Sequence, residues 1–464
     1  MKTLPFVGQP SQRNTGTLDS RYVNVLFESI PNDALKVQTV YCTKRPGTSV
    51  SSNPAGASTG RGIHAWAATQ KVYSVAGHAI YSNTSLVTTM NTSSGRVWFQ
   101  EIPQTTGNRI LVISDGQDNY NISTNDGVTT VDQTNNTNYP VSNLGPVNYI
   151  DGFMVQYTSS YIWHFSPNSI SSNALDAFKA MDTDGSPIEC GHLIKNQIIA
   201  WSKNRTGFFF NNSNPIGSVF LKISGNTLGV GMASKATFAY SGESCCWVGE
   251  NSGDGDGGRA VYMIQSLTRA KSISTPVINR FLSEEGLSIS SASAWMEKMS
   301  GQVVYCLNLR ASNRTFVYHV DTGLWAEWQS SSGARVPFVS ATSLNGVMYL
   351  QGESDGNIYL VSTNIFRDNG SDFTVTLQTP FSQFGNPMRK QEKALSIVGD
   401  STVSTLEIYV NDDGGTTTYT KVGDIDMTNP QKRITRLGGF YERSHQFRYA
   451  ANSSLRLQAW TPEF

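Results

Sequence analysis

Two short runs concentrate positive charge in this 464-residue chain: MRKQEK (Met388–Lys393) and QKRITR (Gln431–Arg436). Lysines and arginines grouped this way can grip phosphate oxygens or an acidic protein surface, or simply form a solvated face. Arg389, Lys390, Lys393, Lys432, Arg433 and Arg436 are therefore the candidate contacts to a partner or to DNA in a channel. Other arrangements fit their chemistry poorly. Asp254 and Asp256 alternate with glycines in NSGDGDGGR (Asn251–Arg259), as calcium-loop carboxylates do, but the distal bidentate Glu is missing. That run is expected to be an extended hairpin loop. NDDGGTTTY (Asn411–Tyr419) is a partial Asp-box, with Asn411 in place of Ser and Thr418 where an aromatic belongs. Such a box is a turn device in which an acidic side chain bonds nearby amides.

A glycosidase needs two carboxylates converging across a pocket. Glu250, Glu284 and Glu285 sit in loop or helix-end contexts and form no evident pair. G-x-S-x-G, the P-loop and H-E-x-x-H do not occur. The five cysteines are odd in number and contain no C-x-x-C. Cys245 and Cys246 are neighbours in a strand pattern and should point to opposite faces, as buried free thiols. No catalytic residue, no cofactor and no metal ligand is assigned, and so no enzyme is expected.

Composition narrows the class further. Lys+Arg and Asp+Glu are both 35, and a neutral chain disfavours tight non-specific grip on DNA. Charged residues are only 15%, which suits polar, uncharged strand faces and many turns. The opening MKTLPFVGQ lacks an apolar signal region, and no apolar run reaches membrane-spanning length.

The elements that must position these residues are β-hairpins. Seven times between Arg61 and Val361 the chain repeats an apolar run, a polar turn and a second apolar run. KNQIIAWSKNRTGFFFN and GQVVYCLNLRASNRTFVYHV are two of the copies. Their starts fall roughly 40 to 57 residues apart, near the spacing of four-stranded propeller blades. The fold expected is all-β: a β-propeller platform of six to eight blades over 61–369, with a C-terminal β-sandwich or jelly-roll-like domain over 370–464. The boundary falls near Asp368–Ser371, where the blade spacing stops. Residues 1–60 hold strand candidates at Arg21–Phe27 and Leu35–Cys42, one of which could close the ring against the last blade. Thr48–Gly60 reads as a Ser/Gly/Ala-rich loop. With Asn251–Gly258 it is a candidate interface or gate element. Two short helices are expected, at Asn173–Met181 and Thr275–Gly286; the second opens with a Thr cap followed by Pro. The tryptophans are expected to pack between neighbouring sheets.

Three ordered patches carry a family resemblance. Near the start stand TLPFVG, SRYVNVLFESI and KRPGTS, with Arg21, Val23-Asn24 and Pro46-Gly47. In the middle stands VYMIQSLTRAKSISTPVINRFL, with Val261-Tyr262 and Ile273-Ser274-Thr275, and Lys271 where Arg is usual. Near the end come Asp412 to Gly415 and Arg436 to Gly438. Together they resemble the tail hub, or packaged-DNA stabilisation protein, of short-tailed bacteriophages; the nozzle proteins of T7-like tails are more distant in architecture. The resemblance implies a virion tail protein assembled in the bacterial host cytoplasm. It implies a homo-hexameric ring below the portal and its adaptor protein, a channel for genomic double-stranded DNA, and docking of tail fibres or spikes. It also implies retention of packaged DNA until ejection. A receptor- or carbohydrate-binding phage propeller is the alternative.

Overall fold

In the computed structural model the described residues are 3–7, 20–32, 37–54, 58–104, 107–123, 130–134, 136, 139–140, 142–167, 176–179, 186–211, 219–250, 258–264, 269–414 and 416–464. Each of the seven hairpins forms the two middle strands of one antiparallel blade, so the blade count is seven. Blade 1, for example, runs Gly60–Trp66, Lys71–Ala76, Ala79–Ser82 and Ser85–Thr89. Blade 6 runs Ser293–Met299, Gln302–Leu309, Arg314–His319 and Leu324–Trp328. Residues alternate between the two faces of a strand, so each middle strand feeds two wedges of core. Cys245 accordingly packs with Trp201 and Trp247 between blades 4 and 5, while Cys246 packs with Leu307 and Tyr305 between blades 5 and 6. All five cysteines are buried and free.

Ring closure uses a segment expected to be loop. Gly47–Ser52 is a strand, and it pairs antiparallel with Ile358–Ser362 as the fourth strand of blade 7. Close approach sets its first residue: a Cβ on Gly47 would collide with the Arg367 carbonyl oxygen. Blade 7 then packs on blade 1, where the Gln351 side chain accepts from the Gly62 amide (2.8 Å) and donates to the Val75 carbonyl (2.9 Å).

The strands expected to close the ring lie elsewhere. Val25–Asn32 and Val37–Lys44 form one sheet with Arg456–Glu463, Lys390–Gly399 and Arg433–Phe440, in that order. A second sheet carries Arg21–Val23, Val375–Gln378, Ser444–Tyr449, Thr405–Asn411 and Thr420–Asp426. The two face each other across Leu395, Leu457 and Trp460 on one side and Leu377, Ile408 and Phe447 on the other, making a β-sandwich. The second sheet is continuous with blade 6 through a parallel bridge between Val23 and Glu327. Beside that joint Arg45 is buried. It donates to the Asn24 side chain (3.0 Å), the Asp368 carboxylate (3.0 Å) and the Gln329 carbonyl (3.2 Å), with its guanidinium 3.8 Å from the Phe373 ring centroid.

One expected helix is present: Pro276–Glu285, where the Thr275 hydroxyl accepts from the Ile278 amide and Gly286 ends the run at φ +52°. The other is corrected. Asp176–Lys179, within the expected Asn173–Met181, is a strand that pairs with Tyr161–Phe165 and completes blade 3. The rest of that stretch, residues 173–175 and 180–181, lies outside the described residues, as does 251–257 of the expected Asp/Gly hairpin loop. Among the described residues no helix is long and apolar enough to cross a membrane.

Candidate functional site

The two basic runs lie on paired strands. Lys390–Gly399 and Arg433–Phe440 are antiparallel neighbours, with Lys390 opposite Phe440 and Ser396 opposite Arg433. Pairing brings all six candidates onto one part of the sandwich, but their charges are not equally free. Lys432 is buried and donates to the Ser401 hydroxyl at 3.1 Å. Arg433 is ion-paired with Glu463. The Lys390 ammonium folds back onto the Asn386 side chain (2.8 Å) and the Met388 carbonyl (3.1 Å), and Lys393 reaches the Phe464 carbonyl at 3.4 Å. Arg389 and Arg436 are exposed and make no ion pair among the described residues. Arg436 sits at φ +67°, an irregularity in an edge strand that discourages another strand from pairing there.

Beneath this face lies a charge cluster that sequence reading did not anticipate. Arg443, buried, donates to both oxygens of Asp412 (2.6 and 2.8 Å), to Glu392 (2.8 Å) and to the Leu437 carbonyl (3.0 Å). His445 Nε2 lies 3.0 Å from the same Glu392. Burial pulls the Glu392 carboxyl upward, but His445 and Arg443 outweigh it and hold it below the usual carboxylate range. Asp412 thus serves an ion pair, while in the Asp-box-like turn Asn411 makes the turn bonds, to Thr416 and Asp413. The three glutamates considered for catalysis lie apart. Glu285 is buried and accepts from the Ala311 and Ser312 amides, Glu250 meets Arg259, and Glu284 meets Arg280.

The propeller axis is filled by side chains. Arg96 lies 3.8 Å over the Trp98 ring and donates across the axis to the Phe238 carbonyl of blade 5 at 2.6 Å. Trp98 and Phe238 are 6.1 Å apart, and His192 packs on Tyr240 at 4.0 Å. These groups divide the axis into two cavities that share Arg96, of about 440 and about 320 Å³. The larger is lined by His64, Glu101 and Glu297, a grouping missed in the sequence because it spans three blades. His64 lies 3.2 Å from Glu101. Burial raises Glu101, yet hydrogen bonds from His64 and Arg109 leave it lowered; Glu297 is raised by burial. The volumes suit small molecules, not a nucleic-acid duplex. No group of three or more His, Cys, Asp or Glu among the described residues could hold a metal ion.

A closed seven-bladed propeller with a filled axis and a fused sandwich defines a rigid all-β platform. The chain belongs to the phage stabilisation family, whose model, described as bacteriophage P22 Gp10, beta-propeller, matches residues 3–366. It is a bacteriophage structural protein, associated with the virion. No curated protein sequence matches it. Among solved structures it is similar to the extracellular domain of B. thetaiotaomicron BT4673 (12% identity, TM-score 0.45), covering 81% of this chain and 47% of that one. It thus spans about half the length of that chain. It is also similar to the Myceliophteria thermophila Cps50 (Swd1) β-propeller domain (10%, TM-score 0.40; 68% and 100% covered). A third is the Neurospora crassa Pan2 WD40 domain (6%, TM-score 0.36; 76% and 91% covered).

Proposed function

We propose that this chain is a non-enzymatic subunit of a short phage tail, a hub or nozzle that forms a ring of six below the portal-adaptor. In this reading residues 1–60 act as the joint, 61–369 as the platform and 370–464 as the appended sandwich. The ring retains packaged DNA until ejection and docks fibres or spikes. Family membership over 3–366 is the observation that carries the reading. The filled axis adds a constraint: a genome channel would be the lumen between subunits, since neither axial cavity suits a duplex. Arg389 and Arg436 are the cations we place toward that lumen or an acidic partner.

Light scattering and negative-stain imaging of the purified protein, alone and with the adaptor, test this. A ring near six copies with an open centre is expected. A monomer that joins no ring in either setting would sink the proposal, and glycan binding by that monomer would favour a receptor-binding role.

A further inference from the structure

The two axial cavities differ in charge. The one described above carries Glu101 and Glu297; the smaller has no carboxylate in its lining. Three arginines reach it, Arg61, Arg96 and Arg310, together with the serines Ser93, Ser94 and Ser293. Arg61 is already committed. Its donors go to Asp115 (2.6 Å) and to the carbonyls of Gly95 (2.8 Å), Ser94 (2.7 Å), Thr92 and Gly77 (both 3.0 Å). It therefore shapes the Ser93–Ser94 turn but offers no free hydrogen to a ligand.

Arg96 and Arg310 are different. Arg96 Nη1 donates to the Ala236 and Phe238 carbonyls, while Nε and Nη2 make no hydrogen bond among the described residues. Arg96 has no ion pair there either, and stacking on Trp98 fixes its plane. Burial pushes the Arg96 guanidinium down to about 10, so it stays charged at neutral pH. Arg310 pairs with Glu353 at 2.7 Å, but Glu353 is shared with Arg335 at 2.5 Å, so two cations face one carboxylate. Ser293 Oγ is buried and has no partner among the described residues. A cavity with uncompensated guanidinium charge and an unbonded buried hydroxyl is short of acceptors. A tetrahedral oxyanion supplies them, and fork-shaped guanidinium groups bind one through paired, charge-assisted hydrogen bonds.

We propose that this axial cavity binds a single phosphate-type oxyanion, held by Arg96 and Arg310 and hydrogen-bonded by Ser293 and the Ser93–Ser94 turn. The anion comes either free in solution or as one phosphate of a nucleic-acid backbone reaching in at the mouth.

Titration calorimetry of the full chain with inorganic phosphate at low ionic strength tests this. Saturable binding near one equivalent is expected, weakened by about tenfold or more in Arg96→Gln and by several-fold in Arg310→Gln and Ser293→Ala. Arg389→Gln, on the sandwich, should leave it unchanged. Circular dichroism checks folding; should Arg96→Gln not fold, Arg310→Gln and Ser293→Ala decide. No binding by the wild-type chain, or binding equal to wild type in folded Arg310→Gln and Ser293→Ala, overturns the proposal. Competition separates the sources. Displacement of phosphate by a short single-stranded oligonucleotide identifies the backbone as donor, and absence of displacement identifies the free anion.

Discussion

Four ionisable side chains meet largely out of water in the sandwich: Arg443, Glu392, His445 and the half-exposed Asp412. Removing one partner from such a set leaves another buried and uncompensated, which costs more than the pair contributes. Arg443→Met should therefore lower unfolding free energy by about 3 kcal/mol or more, read from chemical denaturation. Two further histidines set an acid limit. Burial pushes His192 and His319 down to about 3, against an ordinary value of 6.5. Between pH 3 and 6.5 the unfolded chain then binds protons that the folded chain refuses, so stability falls as pH drops through that window. Glu392, depressed in the folded state, adds loss in the same direction further down. His319→Gln should flatten the slope of melting temperature against pH between 3 and 6.5; an unchanged slope would mean that His319 is not held neutral. The cysteines act at the other end. Their thiols are raised by burial, so stability should decline above about pH 9 as the unfolded thiols ionise.

At the scale of elements, closure is the most exposed dependency. Gly47→Leu would drive a side chain into the Arg367 backbone, and overpacking of this kind costs about 1–3 kcal/mol. Faster amide exchange across Ile358–Ser362 is expected, with blade 3 unaffected. The middle hairpins were legible in the sequence because each is buried on both faces and bounded by strong turns. The closing strand was not. GTSVSS has one apolar side chain, Val50, and that one is exposed, so no alternation marks it. Asp176–Lys179 misled for another reason. Its apolar residues fall at helical spacing, and a run this short cannot be told from a strand until pairing with Tyr161–Phe165 decides. The candidate basic site was half legible. Sequence supplied the charges, but Glu463 and Ser401, which occupy Arg433 and Lys432, are remote in the chain from the run they satisfy.

For the whole molecule, the filled axis makes a claim separable from assembly. Ser340→Phe, placed in the larger axial cavity, should leave DNA retention and plaque formation by assembled particles unchanged, because no duplex uses that space. A block in ejection with normal assembly would put the genome path through the propeller instead.

The order in which the blades are joined also has a cost in time. Gly47–Ser52 leaves the ribosome near the beginning of synthesis, yet its partner Ile358–Ser362 follows about 300 residues later, roughly 15–60 s at ordinary elongation rates. Blade 7 cannot finish before then. Val25–Asn32 and Val37–Lys44 wait longer still, for Arg456–Glu463. Through that interval the nascent chain carries unpaired strand edges at its leading end, so yield in the cell should respond to translation speed and to chaperones that hold such edges apart.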